Sequence, residues 1–102
     1  MIRYVFSYDP APNAKGDVTE FMDNRGYPFW LSQPGVRGIE VFTRLGSSPM
    51  VETHVLIDGF AEFGSVSSTP RYHELQAEVA RLVAMPEHHF LLPRADYHPD
   101  TP

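Results

Sequence analysis

The chain contains no cysteine. That one absence removes disulfide frameworks, thiolate zinc sites and cysteine nucleophiles together. No apolar run approaches the roughly 18 to 20 residues needed to span a bilayer. The opening Met1-Ile2-Arg3-Tyr4-Val5-Phe6 also lacks the long apolar centre and small-residue cleavage site of a signal peptide. Positive charge is scarce and scattered, and the formal net charge is −5. Nucleic acid and anionic membrane surfaces are therefore disfavoured as partners, since both need clustered Lys and Arg. There is no glycine-rich phosphate loop, no GxSxG elbow and no paired-carboxylate motif. Adjacent His88 and His89 tempt a metal reading, but neighbours on a regular strand point to opposite faces. No metal and no cofactor are expected, and the reading is of a soluble, cytoplasmic protein.

What is present suits one packed core. In 102 residues, 42% are hydrophobic and 13% aromatic, enough for a single domain over 1–96 with a proline- and aspartate-rich tail at 97–102. Ile2–Tyr8 alternates with period two and reads as a first strand, ended by Pro10 and Pro12. Asp17 resembles an N-cap with Glu20 closing a capping box, and Val18, Phe21 and Met22 form its apolar stripe. That predicts a helix over 17–32, interrupted near Gly26–Pro28. Val36–Leu45 and Val51–Phe63 flank Gly46-Ser47-Ser48-Pro49 and read as a β-hairpin. The expected register sets Arg44 opposite Glu52 and His54 opposite Phe42. A Ser-rich connection over 64–69 then leads to Thr69-Pro70, a helix start whose stripe runs Tyr72, Leu75, Val79, Leu82 and Val83 until Pro86. His89–Leu92 is assigned as a last strand, with Pro93 arguing for an edge.

The order β-α-β-β-α-β is the split arrangement of ferredoxin-like α+β sandwiches, with both helices on one face of a four-stranded antiparallel sheet. The other face must meet solvent or a partner. Tyr4, Phe6, Tyr8, Phe42, Leu56 and Phe60 are expected on it, too much apolar area for a lone domain. A two-fold homodimer through that open face is the simplest cover.

The layout, with PGVRGIEVF entering the second strand, VETHVLIDGFAEF as the third and SSTPRYHELQAEVARLV as the following helix, resembles the dimeric α+β barrel superfamily. Its members include antibiotic-biosynthesis-type monooxygenases, EthD-like proteins and stress-responsive A/B barrel proteins. The resemblance covers about residues 2–92. It implies that two ferredoxin-like subunits close their sheets into a barrel and that small organic ligands bind between helices and sheet.

His54 is the leading candidate for chemistry. It lies mid-strand with Asp58 on the same face, and a histidine with a carboxylate partner suits general-base work. A hydrogen-bonded histidine in a dimer core is the competing account. Trp30, with Tyr27 and Phe29, can wall a cleft after the helix break. Tyr4, Arg44 and Asp58 complete the candidate ligand-binding set, although a cross-strand pair with Glu52 also explains Arg44. The expectation is a homodimer binding a small, largely apolar organic molecule, as a cofactor-independent monooxygenase or isomerase. The alternative is a non-catalytic dimeric interaction or sensory domain.

Overall fold

The computed structural model describes residues 1–100. Four strands, β1 (Ile2–Pro10), β2 (Val36–Thr43), β3 (Val51–Ile57) and β4 (Val83–Leu91), form one antiparallel sheet in the order β2-β3-β1-β4. Helices α1 (Lys15–Phe21) and α2 (Tyr27–Leu31) are joined by a π-helical segment, Met22–Gly26. Helices α3 (Phe60–Ser67) and α4 (Pro70–Val79) follow the hairpin. The architecture is the expected ferredoxin-like α+β sandwich, with β4 on an edge. Among the described residues, no helix is long and apolar enough to cross a membrane.

Local details differ from the sequence reading for identifiable reasons. Helix α1 starts two residues before Asp17, behind Ala14, with no side-chain cap, so Asp17 sits in the first turn and no capping box forms. The expected break near Gly26–Pro28 is a widening of a continuous helical path, with Pro28 in the first turn after the π segment. Strand β3 stops at Ile57, and Phe60–Ser67, read as strand and linker, is helical. Helix α4 ends at Val79, so Leu82 and Val83 leave its stripe and Val83 opens β4. Pro86 lies inside β4, beside a register shift and beside Met85 with φ 52°; an irregular edge tolerates a proline that a central strand would not.

The hairpin register is two residues from that expected. Phe42 pairs with Glu52, and His54 with Glu40. A two-residue shift preserves the faces, because side chains alternate with period two. The larger correction concerns β1. Tyr4 pairs with Val55 and Phe6 with Thr53, and Ile2, Tyr4 and Tyr8 are buried against the helices. Tyr4, Phe6 and Tyr8 therefore face the helices, and Phe60 belongs to no strand. Alternation along β1 defines two faces, but only pairing with β3 decides which is which. The open face carries Arg3, Val5 and Ser7 with Glu40, Phe42, Glu52, His54 and Leu56, and with Glu87, His89 and Leu91 from β4.

Two apolar clusters lie between helices and sheet. One joins Tyr8, Val18, Phe21, Met22, Leu75, Val79 and Val83; the other joins Ile2, Tyr4, Trp30, Val55, Ile57 and Val66. After β4 the chain is exposed to residue 100; Thr101 and Pro102, the end of the expected tail, lie outside the described residues. The Thr69 side chain accepts from the Tyr72 backbone N–H at 3.2 Å and caps α4. Replacing Thr69 by Ala is expected to cost about 1 kcal/mol, a fall of roughly 4–8 °C in Tm for a domain of this size, measured by calorimetry.

Candidate functional site

The sequence candidates fall into three places. Tyr4 and Trp30 line a cleft between helices and sheet. Arg44 and His54 lie on the open sheet face. Asp58 stands apart at the end of β3, where Arg37 donates Nε and Nη2 to its two carboxylate oxygens, both at 2.7 Å. A register shift between Val36 and Gly38 leaves Arg37 unpaired in the ladder and free to make that fork. The guanidinium holds the Asp58 carboxyl below its usual range. The carboxylate beside His54 is Glu52, not Asp58.

On the open face a charged network covers β1. His54 Nε2 lies 2.7 Å from Glu52 Oε2, and Arg3 Nη1 lies 3.2 Å from His54 Nδ1. A guanidinium can only donate, so Nδ1 accepts from Arg3 and the ring proton sits on Nε2, directed at Glu52. Arg44 donates Nε and Nη2 to Glu52 Oε1 at 3.0 and 2.8 Å, and its Nη1 stands 3.7 Å from Glu87 Oε2. Arg3 also pairs with Glu40. The Phe42 ring meets His54 edge-on at 4.9 Å and is 46% exposed. Beneath this layer Val5 and Ser7 are fully buried. His54 is itself buried, with both ring nitrogens engaged.

The cleft is built differently. Tyr4, Phe6, Thr53 and Val55 rise from β1 and β3; Phe21, Met22, Gly26, Tyr27, Phe29 and Trp30 come from the helical path, and Tyr72, Leu75, Gln76 and Val79 from α4. The π segment places Met22 and Gly26 against it, and a β-carbon at Gly26 would lie 3.2 Å from the Met22 sulfur. Trp30 packs near Tyr4 (5.5 Å between centroids), stacks with Phe63 (6.2 Å) and meets Tyr72 edge-on (5.9 Å). The cleft is partly open and its free volume is about 40 Å³, room for a few waters and less than an aromatic ring.

Few polar groups face this lining. The Tyr27 hydroxyl lies 3.3 Å from Thr53 Oγ1. The Tyr4 hydroxyl is hydrogen-bonded to Nδ1 of His88, whose ring stacks on Tyr4 at 5.9 Å. Burial, reinforced by the neighbouring Tyr72, pushes the Tyr4 phenol far above its ordinary range. Burial likewise raises Tyr8, helped by Tyr27. Desolvation lowers His88, favouring the neutral imidazole. Sequence reasoning weighed His88 only as a metal ligand. Its pairing with Phe6 across the β1–β4 ladder, which aims it at Tyr4, is a long-range fact that local pattern does not carry.

No family model and no curated protein matches this sequence. Solved structures do. A point mutant of SnoaB, a cofactor-independent oxygenase from Streptomyces nogalater, superposes with a TM-score of 0.80 at 14% identity, covering 93% of this chain and 94% of that one. Rv0793 from Mycobacterium tuberculosis gives 0.77 at 13% identity, over 95% and 98%. An EthD-family protein from Bacillus halodurans gives 0.67 at 16% identity, over 92% and 99%. What they share with this chain is the fold. The oxygenase and the EthD-family protein match the kinds of protein that the layout resembles.

The open-face network has a measurable pH signature. Hydrogen bonds from His54, then from Arg44, hold Glu52 below its ordinary value of 4.5. A carboxyl whose folded-state pKa is depressed stabilises the fold above the unfolded value and loses that contribution as pH falls through the folded one. The Tm advantage of the wild type over Glu52→Gln is therefore expected to be full at neutral pH and to shrink below about pH 4.5. Parallel Tm curves for the two proteins across that window would show that the pair contributes nothing.

Proposed function

We propose that the chain is a homodimeric small-molecule-binding protein whose two sheets meet through their open faces and whose ligand occupies the helix–sheet cleft. The observation that carries the ligand reading is the cleft's lining: aromatic and aliphatic walls with a few convergent hydroxyls, the composition of a site for a small, largely apolar aromatic compound. The fold shared with a cofactor-independent oxygenase supports chemistry that such a pocket can host without a metal or cofactor, as monooxygenase or isomerase. Tyr4 and Trp30 line the ligand site. Arg44 and His54 organise the face between subunits, and Asp58, locked to Arg37, marks its margin. The dimer is supported by Phe42, Leu56 and Leu91, which leave apolar area among the charges of the open face. A second copy presents the same mixture and can cover it isologously.

The small present volume favours a second reading, a dimeric interaction or sensory domain whose cleft is filled by its own side chains. Ligand admission separates the two, because half-buried Tyr27, Phe29, Tyr72 and Gln76 must then give way.

Trp30 is the only tryptophan, so its fluorescence reports the cleft directly. Titration with naphthol and anthraquinone-type compounds is expected to change that emission. At a ligand concentration of 100 Kd the added stability of about 2.7 kcal/mol should raise Tm by on the order of 10 °C. Unchanged emission and Tm across the panel would overturn the ligand reading. Light scattering is expected to give twice the chain mass for the wild type, and the single-chain mass for Leu56→Arg with its circular dichroism retained. A wild-type monomer at micromolar concentration would refute the assembly.

A further inference from the structure

We infer that pairing of the open faces is gated by protonation at His54, with Arg3 as the part that moves. The inference rests on the proposed dimer and names its regulation.

The sheet register sets the groups of the open face in rows. Glu40, His54, Val5 and His89 lie side by side across the four strands. On one side the next row is Gly38, Leu56, Arg3 and Leu91; on the other it is Phe42, Glu52, Ser7 and Glu87. Arg3 thus stands between two leucines. It finds its polar partners one row away, in Glu40 and in Nδ1 of His54 at 3.2 Å. The same two leucines belong to the apolar area that a second copy covers in the proposed dimer.

The bond between Arg3 and His54 exists in one protonation state only. A guanidinium has donors and no acceptor. A neutral imidazole with its proton on Nε2 offers Nδ1 as acceptor, whereas an imidazolium carries N–H at both positions. Adding a proton therefore sets an N–H and a second positive charge against Arg3. The other charged groups around His54 are Glu40 from β2, Glu52 and Arg44 from the hairpin, and Glu87 and His89 from β4; the helices lie on the opposite face. Glu52 does not reverse the conflict, since it meets Nε2 in both states and its charge is already shared by two bonds from Arg44. Phe42 brings only its ring to His54. His89, beyond Val5, is not a partner of Arg3.

A single chain and a dimer answer the extra proton differently. In the single chain the Arg3 side chain is 38% exposed, so it can swing into water and keep Glu40. Between two sheets that path is closed, and the displaced guanidinium is pressed onto Leu56 and Leu91. A charge buried without a full set of partners is costly, so the dimer binds the proton more weakly than the single chain does. The state that holds fewer protons gains as pH rises. Acid therefore dissociates the dimer.

The test is the dimer Kd from light-scattering dilution series at pH 7.5 and 5.5 in one salt concentration, with circular dichroism recorded alongside. An imidazole free to titrate at about 6.5 in a monomer and barred from titrating in a dimer raises Kd about tenfold over that interval. Two subunits make the expected rise for the wild type about a hundredfold. Glu52, held below its ordinary 4.5, stays ionised throughout. His54→Gln keeps an acceptor for Arg3 and a donor for Glu52 but takes up no proton. Arg3→Gln replaces the cation by an amide that can donate to a neutral ring or accept from a charged one. Each variant is expected to dimerise with most of the pH dependence gone, and either suffices if the other fails to fold. An equal rise in the wild type and a folded variant, a wild-type Kd that ignores pH, or unfolding in place of dissociation would overturn the gate and leave the dimer standing. A wild type that is monomeric at pH 7.5 would overturn both.

Discussion

The molecule depends on a constraint placed on one strand: β1 lies between β3 and β4 and has no face left for water. Its even-numbered residues enter the aromatic interior beneath the helices. Its odd-numbered residues Val5 and Ser7 are buried just as completely, under a cover of ion pairs instead of a helix. The two covers are unlike in kind. Burial of apolar surface stabilises without direction, at about 25 cal/mol per Å². A half-exposed charged layer contributes little by itself, since surface pairs are commonly worth 0–1 kcal/mol. The open face is thus held in place more than it is held together, and a second sheet laid over it would strengthen each of its interactions by excluding water.

The helix-side interior has the opposite character. Trp30, Tyr4, Phe63, Tyr72 and Phe90 touch ring to ring, Trp30 on Phe63 stacked and the other pairs tilted or edge-on, the arrangements that aromatic quadrupoles prefer. Flat, stiff side chains meeting at angles leave gaps that branched aliphatic residues would fill, and the small cavity lies among them. Hydroxyls of Tyr4, Tyr27, Tyr72 and Thr53 keep the interior from being purely apolar, and each is positioned by a different element.

Much of the fold was legible in the sequence. The alternation of Ile2–Tyr8, the Thr69-Pro70 helix start and the hairpin around Gly46–Pro49 are local signals, and each marks an element of the structure. What failed were quantities fixed by partners. Phe60 and Phe63 fit either a strand's continuation or a helix spacing of three, and only the turn at Asp58-Gly59 decides. The assignment of Tyr4, Phe6 and Tyr8 to a face required the β1–β3 register, which no single strand contains. Trp30 and Tyr4 were named as ligand-binding candidates, and both line the cleft, whereas Arg44, His54 and Asp58 lie elsewhere. His88 was weighed only as a metal ligand beside His89, because its pairing with Phe6 on β1 is a long-range fact.

The π segment at Met22–Gly26 carries a consequence beyond geometry. A π turn accommodates one more residue than an α turn, and one residue advances a helix by roughly 100°. An extra residue in a regular α-helix would therefore carry everything after it around the axis. Here the wider turn takes up the extra residue locally, and Phe29 and Trp30 stay beside Tyr4. The segment is the one place on this helical path where the chain can change its length by one residue and leave the aromatic wall facing the sheet.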